Sequence, residues 1–507
     1  MPFQKEGIEF GIQKKGRILL ADDMGLGKTI QSLGIALYYR DEWPLLIVCP
    51  SSMRYTWVES ILRWVPSVPR DKIHVVTGGK DTDGIEGADI VIYSYNVMAS
   101  HANTVLKAKR FRVVIMDESH FLKSYKSNRS KAGTDIIKRA LRSILLTGTP
   151  ALSRPIELYP QVSALDSGMF GHVHNFAIRY CDAKESSWGW NYNGCSNSKE
   201  LQLILEERCM IRRMKSQVLS QLPEKRRQKV TLDPQKLPSS SSKEMKACAK
   251  LMKHVNLNTV ESHGQLMWYF QQTGKAKVKA VCDYLEDLVE AEKKFLCFAH
   301  HSDVLDGICE FLASKKHVKY VRIDGSTSAV ERQNRMNLFQ YDERVLVAVL
   351  SITACNAGIT MTSAQLVVFA ELYWNPGILI QAEDRAHRIG QLDCVIVQYL
   401  LAQGTADDYI WPMIEKKLKV LARVGLSDQN FSGMQETQAA SSKTNQSKMT
   451  DHLLPSRAEG SNQEEPSRAK VEGSNQEESV SDQEVAAALV DMSGIDWNED
   501  LDLEDFT

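Results

Sequence analysis

Short runs of consecutive apolar, often β-branched residues recur along the chain, and segments with helical spacing of apolar positions separate them. The runs fall at 17–20, 45–49, 89–93, 112–116 and 143–147, and again at 295–299, 320–323, 345–350, 366–370 and 395–400. Runs this uniformly apolar predict parallel strands covered on both faces, since a sheet with one wet face alternates apolar and polar positions. Two such series predict an α/β protein of two tandem lobes, each a parallel sheet flanked by helices. The expected organisation is a first lobe over 1–159, helical insertions and an interlobe region over 160–272, and a second lobe with a closing helix over 273–426. The middle region holds an aromatic-rich stretch, Trp188-Gly189-Trp190-Asn191-Tyr192, and a serine-rich joint after Pro238.

After Leu426 the periodicity dissolves into Ser, Gln, Glu, Asn and Ala, and PSRAEGSNQEE is nearly repeated as PSRAKVEGSNQEE. Residues 427–507 therefore read as a disordered acidic tail, too poor in apolar residues to build a core. Charge divides at the same boundary. The tail has 18 acidic and 5 basic residues, whereas residues 1–426 have 57 basic and 45 acidic, a body of net +12. A basic body points to a polyanionic partner. No apolar stretch approaches the length of a bilayer span, and the opening Met1-Pro2-Phe3-Gln4 predicts no signal peptide. Ten cysteines without a C-x-x-C predict reduced thiols of an intracellular protein and no zinc finger.

Three polar segments, each placed after an apolar run or within the second series, carry candidate chemistry. Asp22-Asp23-Met24-Gly25-Leu26-Gly27-Lys28-Thr29 follows the run 17–20 and predicts a strand–loop–helix phosphate cradle for ATP. Gly25 and Gly27 let backbone N–H groups approach phosphates, Lys28 reaches the β and γ oxygens, and the Thr29 hydroxyl suits Mg2+. Asp22 stands where the G-x-x-x-x-G-K-[ST] pattern has its first glycine. The expected ATP site also includes Gln31 and, upstream, Gln4, whose amide suits an adenine edge. Asp117-Glu118-Ser119-His120 follows 112–116, with Asp117 suited to Mg2+ and Glu118 to orienting the attacking water. Gln381-Ala382-Glu383-Asp384-Arg385-Ala386-His387-Arg388-Ile389-Gly390-Gln391 offers Arg385 and Arg388 as fingers on the γ-phosphate. Thr147, Gly148 and Thr149 end a run and are expected to couple the cleft between the lobes to their outer face.

A DNA track is expected across both lobes, on loops that begin where strands stop: Ser51, Ser52, Arg54 and Trp57; Ser94 and Tyr95; Ser326 and Thr327; Ser351 and Thr353. Such hydroxyl, N–H and basic groups hold phosphates without reading bases. In the tail, residues 446–453 have the spacing of a weak sliding-clamp peptide. Residues 491–507 combine seven acids with Ile495, Trp497, Leu501, Leu503 and Phe506, the pattern of a segment that docks a basic groove on a replication or repair protein or on the motor itself.

DMGLGKT, DESH, LLTGTP, MIRRMKSQVLSQLPEK and QAEDRAHRIGQ resemble the motifs of the SWI/SNF-type branch of the superfamily-two helicases and translocases. YCDAK, WGW, FAELYWNP and GTADDYIWP are similar to the HARP-type annealing helicases within it. The resemblance implies two RecA-like lobes, ATP and Mg2+ as cofactors, and a nuclear enzyme that moves on forked or junction DNA, rewinds strands and protects stalled replication forks. It makes Asp22 usual for the family. Members usually carry HARP modules and a replication-protein-A-binding helix upstream, which are not expected among the residues from Met1 onward, and the resemblance implies that annealing draws on those modules. A nucleosome remodeller with the same motor, or a catalytically weak scaffold recruited by its tail, are the alternative readings.

Overall fold

A computed structural model of the chain describes residues 1–151, 154–186, 189–219, 222–233, 260–353, 361–388, 390–423 and 434–438. The first apolar series forms strands β1 (Arg17–Leu20), β2 (Leu45–Cys49), β4 (Ile90–Ser94), β5 (Val113–Asp117) and β6 (Arg142–Leu146), joined by the short edge strand β3 (Ile73–Val75). A two-stranded hairpin, β7 (Lys184–Ser186) with β8 (Gly189–Asn191), stands apart from the large sheets. Strand β9 (Met210–Ile211) then pairs with β1, completing the parallel order β3-β4-β2-β5-β6-β1-β9. The second sheet is built from β10 (Lys225–Thr231), β11 (Phe295–Ala299), β12 (Lys319–Ile323), β13 (Val345–Ser351), β14 (Leu366–Phe369), β15 (Val395–Leu401) and β16 (Gln435–Gln438). Its order is β12-β13-β11-β14-β15-β10-β16, again parallel throughout. Helices cover both faces, so each sheet is sandwiched between two apolar clusters, as uniformly apolar strands require.

The protein is α/β with two parallel-sheet lobes, as the two apolar series predict, and the resemblance identifies them as RecA-like. Two strands from the 160–272 segment enter the sheets, β9 in the first lobe and β10 in the second. Strand β16 falls beyond Leu426, within the stretch expected to be tail, where Lys229 of β10 pairs with Glu436 at 2.6 Å. The serine-rich joint, Trp188, and residues 446–453 and 491–507 lie outside the described residues.

One arginine fixes the strand that feeds the phosphate loop. Arg17, first residue of β1, donates to the carbonyls of Ile137, Ala140, Ala164 and Leu165 at 2.7–3.2 Å. These carbonyls end the helices Asn128–Arg139 and Tyr159–Leu165, where backbone acceptors lack helical partners and the dipole is negative. A single cation thereby fastens two helix ends to β1.

Candidate active site

Strand β1 stops at Leu20 and the helix Lys28–Tyr38 starts after a loop of seven residues, with Gly25 and Gly27 in the left-handed region at φ 83° and 78°. The backbone conformation is what calls for glycine at 27, since the atom nearest a Cβ there, Gln4 Nε2 at 2.4 Å, ends a side chain that can turn away. Gln4 donates that amide to the Leu26 carbonyl at 3.1 Å, so it lies on the loop. Lys28 Nζ folds over the loop and donates to the carbonyls of Asp22 (2.7 Å) and Asp23 (3.1 Å). Burial pulls its ammonium below the usual lysine range, opposed by Glu118, Asp22, Asp23 and Asp117. Thr29 follows at the helix start.

Asp22 does not turn to the phosphate side. It is fully buried and accepts from Arg213 Nε (3.0 Å), Arg213 Nη2 (2.6 Å), the Arg213 backbone N–H (3.1 Å) and Gln31 Nε2 (3.1 Å). Gln31 in turn accepts from Arg213 at 2.9 Å. Asp22 and Gln31, expected as ATP contacts, therefore brace the loop from behind. Asp23 receives the Lys215 backbone N–H at 3.3 Å.

Asp117 ends β5, and Glu118 takes φ 50°, ψ 51°, a left-handed conformation costly for a residue with a side chain. The reversal brings both carboxylates to the strand end. Asp117 accepts from Trp57 Nε1 and from the Glu118 N–H, both at 2.9 Å, and Tyr95 donates to its carbonyl at 2.8 Å. Burial, then the neighbouring Glu118 charge, raises the Asp117 carboxyl to about 7. Burial pushes Glu118 up too, but His120, Lys28 and Arg385 together hold it below the usual range. One carboxylate forced toward protonation beside another marks a site short of positive charge, the condition a divalent cation relieves.

His120 is a functional residue the sequence reading left unassigned, although it stands within the DESH segment. Its Nδ1 lies 3.3 Å from Glu118 Oε2 and 3.2 Å from Thr147 Oγ1. Thr147 Oγ1 also accepts the Thr149 N–H at 3.1 Å, and Thr149 Oγ1 accepts from Gln381 Nε2 at 2.9 Å. A continuous polar path thus runs from Glu118 through the three-residue loop Thr147-Gly148-Thr149 to the second lobe. Gly148 packs there against Met24 of the phosphate loop, with its Cβ position 2.4 Å from Met24 Cγ.

The second lobe brings its arginines to this cleft. A Cβ on Gly25 would lie 3.3 Å from Arg388 Cγ, so Arg388 packs on the phosphate loop. Arg385 is 1% exposed and acts electrostatically on Glu118. The helix Pro376–Glu383 delivers both, and its end is clamped by ions: Glu383 by Lys225 and Arg227, Asp384 by Lys215 and Lys225, at 2.5–3.0 Å. Burial opposes ionisation of these acids, yet the cations win. Glu383 falls to about 2, and Asp384 lies well below the usual carboxylate range.

The expected DNA track divides on inspection. Ser51, Ser326 and Thr353 are exposed, and Ser52 and Arg54 half-buried, although Arg54 spends its guanidinium on the carbonyls of Ser51 and Val76. Trp57, Ser94, Tyr95, Thr327 and Ser351 are buried. Trp57 and Tyr95, read as track aromatics, instead hold Asp117, because each lies on the buried face of the helix that follows its strand, Arg54–Trp64 and Tyr95–His101.

The description SNF2-related domain matches residues 3–280, and Helicase conserved C-terminal domain matches 276–390. One relative is the SWI/SNF-related matrix-associated actin-dependent regulator of chromatin subfamily A-like protein 1 of Xenopus laevis, 51% identical over 86% of this chain and 45% of that protein. Another is the DNA annealing helicase and endonuclease ZRANB3 of Mus musculus, 46% identical over 83% of this chain and 40% of that protein. The chain spans less than half the length of these two relatives. Among solved structures, the Sulfolobus solfataricus SWI2/SNF2 ATPase core in complex with dsDNA is similar over 84% of this chain and 92% of that chain, at 24% identity and a TM-score of 0.41. With the SNF2-related match spanning more than half the sequence and the residues of that match forming one side of the cleft described, the chain belongs to the SNF2-related family.

Proposed function

We propose that the chain is an ATP-driven DNA translocase acting on forked or branched DNA in the nucleus, where it anneals or remodels strands. The observation that carries this reading is the cleft in which Lys28, Asp117 and Glu118 of the first lobe meet Arg385 and Arg388 of the second. The residue set fits MgATP: two glycines open the loop backbone, and of the paired buried carboxylates Asp117 is pushed toward protonation even with Lys28 nearby. Thr29 and Asp117 would hold Mg2+, which would supply charge neutralisation on the phosphates. The loop amides and Lys28 bind the phosphates, Lys28 exchanging the carbonyls of Asp22 and Asp23 for phosphate oxygens. Glu118 orients the attacking water. Arg385 and Arg388 stabilise charge on the γ-phosphate, which ties hydrolysis to lobe closure. His120, Thr147, Thr149 and Gln381 relay the state of Glu118 to the second lobe.

The net +12 of residues 1–426 supports a phosphate-held, sequence-indifferent track. Ser51, Ser52, Ser326 and Thr353 are the surface groups we assign to it. The relatives' names, annealing helicase and regulator of chromatin, support branched DNA and the nucleus. Residues 491–507 are assigned to docking on a basic groove, and 446–453 to weak clamp binding at most. The test is DNA-stimulated phosphate release on fork, linear duplex and nucleosome. Strongest stimulation by the fork is expected. Strongest stimulation by the nucleosome would move the chain to the remodellers, and no ATP turnover on any substrate would make it a scaffold.

A further inference from the structure

Residues 210–225 leave the first lobe as β9 and enter the second as β10, and on the way they grip both halves of the ATP site. The Arg213 carbonyl accepts the Asp23 N–H at 2.9 Å, and the Lys215 N–H reaches Asp23 Oδ2 at 3.3 Å. The Lys215 side chain turns the other way. Its Nζ lies 2.9 Å from Asp384 Oδ1 and donates to the His387 carbonyl at 2.7 Å, with the side chain 7% exposed. Asp384 immediately precedes Arg385, and His387 immediately precedes Arg388. A single residue therefore holds the phosphate loop by its backbone and both arginine positions by its side chain.

Chain length decides which grip yields when the lobes part. Lys215 lies four residues beyond β9, whereas ten separate it from Lys225, the start of β10. Lys215 must stay with the first lobe, and Lys225, which binds Glu383 and Asp384 at 2.8 and 3.0 Å, stays with the second. Opening the cleft then breaks Lys215 to Asp384 and to the His387 carbonyl, and closing remakes them.

We propose that Lys215 is a positioning residue for ATP hydrolysis, a contact made and broken in each cycle that sets Arg385 and Arg388 against the nucleotide on the phosphate loop. This rests on the ATPase reading above. The contact is dispensable for ATP binding, since no Lys215 atom belongs to the phosphate cradle. It acts on the turnover step, where displacing a transition-state group by about 1 Å costs roughly 10²-fold.

The test uses the full chain with saturating fork DNA and compares Lys215→Met, Asp384→Asn and the double variant. Lys215→Met should lower kcat by about 30- to 100-fold and leave KM for ATP within about twofold, the pattern of a group that acts on turnover rather than on ATP binding. The double variant should fall short of the product of the two single losses, because the singles share the Lys215–Asp384 contact, while Lys215→Met alone loses the His387 carbonyl and Asp384→Asn alone weakens the pair with Lys225. A donor–acceptor pair across the lobes should report closure with a non-hydrolysable ATP analogue in wild type and weakened closure in Lys215→Met. If Lys215→Met fails to fold, the near-isosteric Asp384→Asn reads the same contact from the other lobe, and Lys215→Arg should restore much of the closure signal. Unchanged kcat, a rise in KM matching the fall in kcat/KM, or fully additive losses would each overturn the assignment. Wild type without DNA-stimulated turnover defeats the ATPase reading instead, so the two failures are distinguishable.

Discussion

Arg213→Met removes a guanidinium from behind the phosphate loop and keeps the aliphatic stem. In wild type the fully buried Asp22 takes two side-chain bonds from Arg213, at 3.0 and 2.6 Å, with further donors in the Arg213 N–H and Gln31 Nε2. The variant keeps those last two donors but leaves the charge uncompensated. Breaking a buried ion pair from one side costs about 3–5 kcal/mol, and the surviving donors place this case near the lower figure. In a lobe of about 200 residues, each kcal/mol moves the unfolding midpoint by about 2–4 °C, giving a fall of about 6–12 °C. Adding Asp22→Gly removes the stranded carboxylate and should recover most of the loss, since deleting both partners is far cheaper than deleting one. Thermal unfolding of the two variants against wild type, with Kd for an ATP analogue measured alongside, decides it. A shift under about 2 °C for Arg213→Met, or a double variant no more stable than Arg213→Met, would refute the view that Asp22 is a brace and return it to the nucleotide.

The Asp117 carboxyl, raised to about 7 in the folded protein, binds protons there that the unfolded chain releases near pH 4. Nucleotide-free stability relative to Asp117→Asn should therefore fall as pH rises from about 4 to about 7 and level off above. Saturating MgATP should flatten that slope, as followed by chemical unfolding at fixed pH steps. Glu118→Gln should bind ATP and DNA yet arrest in the closed state, while Arg388→Ala should be comparably slow and fail to close. Identical closure signals by fluorescence transfer would remove the finger role from Arg388.

The three motif segments were legible because phosphate chemistry confines its groups to a few consecutive residues at strand ends. Apolar strands such as β2, β5 and β13 were legible because burial on both faces leaves uninterrupted apolar runs. Strand β10, Lys-Arg-Arg-Gln-Lys-Val-Thr, reads as a solvated stretch, yet Lys225 and Arg227 are neutralised inside by Glu383, more than 150 residues away. The roles of Asp22 and Trp57 failed for the same reason. Arg213 and Asp117 are remote partners, and local spacing carries no record of a contact closed across a sheet. Tyr95 misled differently: an aromatic just after a strand suits a stacking platform or a lid over the core, and only the seating of the helix Tyr95–His101 decides. His120 carried a usable signal, since a histidine two residues beyond a catalytic acid is within reach of it.

The left-handed backbone at Glu118 sets robustness against turnover. Holding a non-glycine residue there costs about 1–3 kcal/mol, and placing a second acid beside buried Asp117 adds repulsion to it. Glycine at this position relaxes the backbone and relieves Asp117, and where that outweighs the partner lost to His120, Lys28 and Arg385 it gains stability by the same change that removes the carboxylate we assign to the attacking water. A library of this chain selected for heat resistance alone will drift toward such substitutions and enrich molecules that fold well and hydrolyse nothing. Stabilisation of this motor has to be sought with position 118 held fixed.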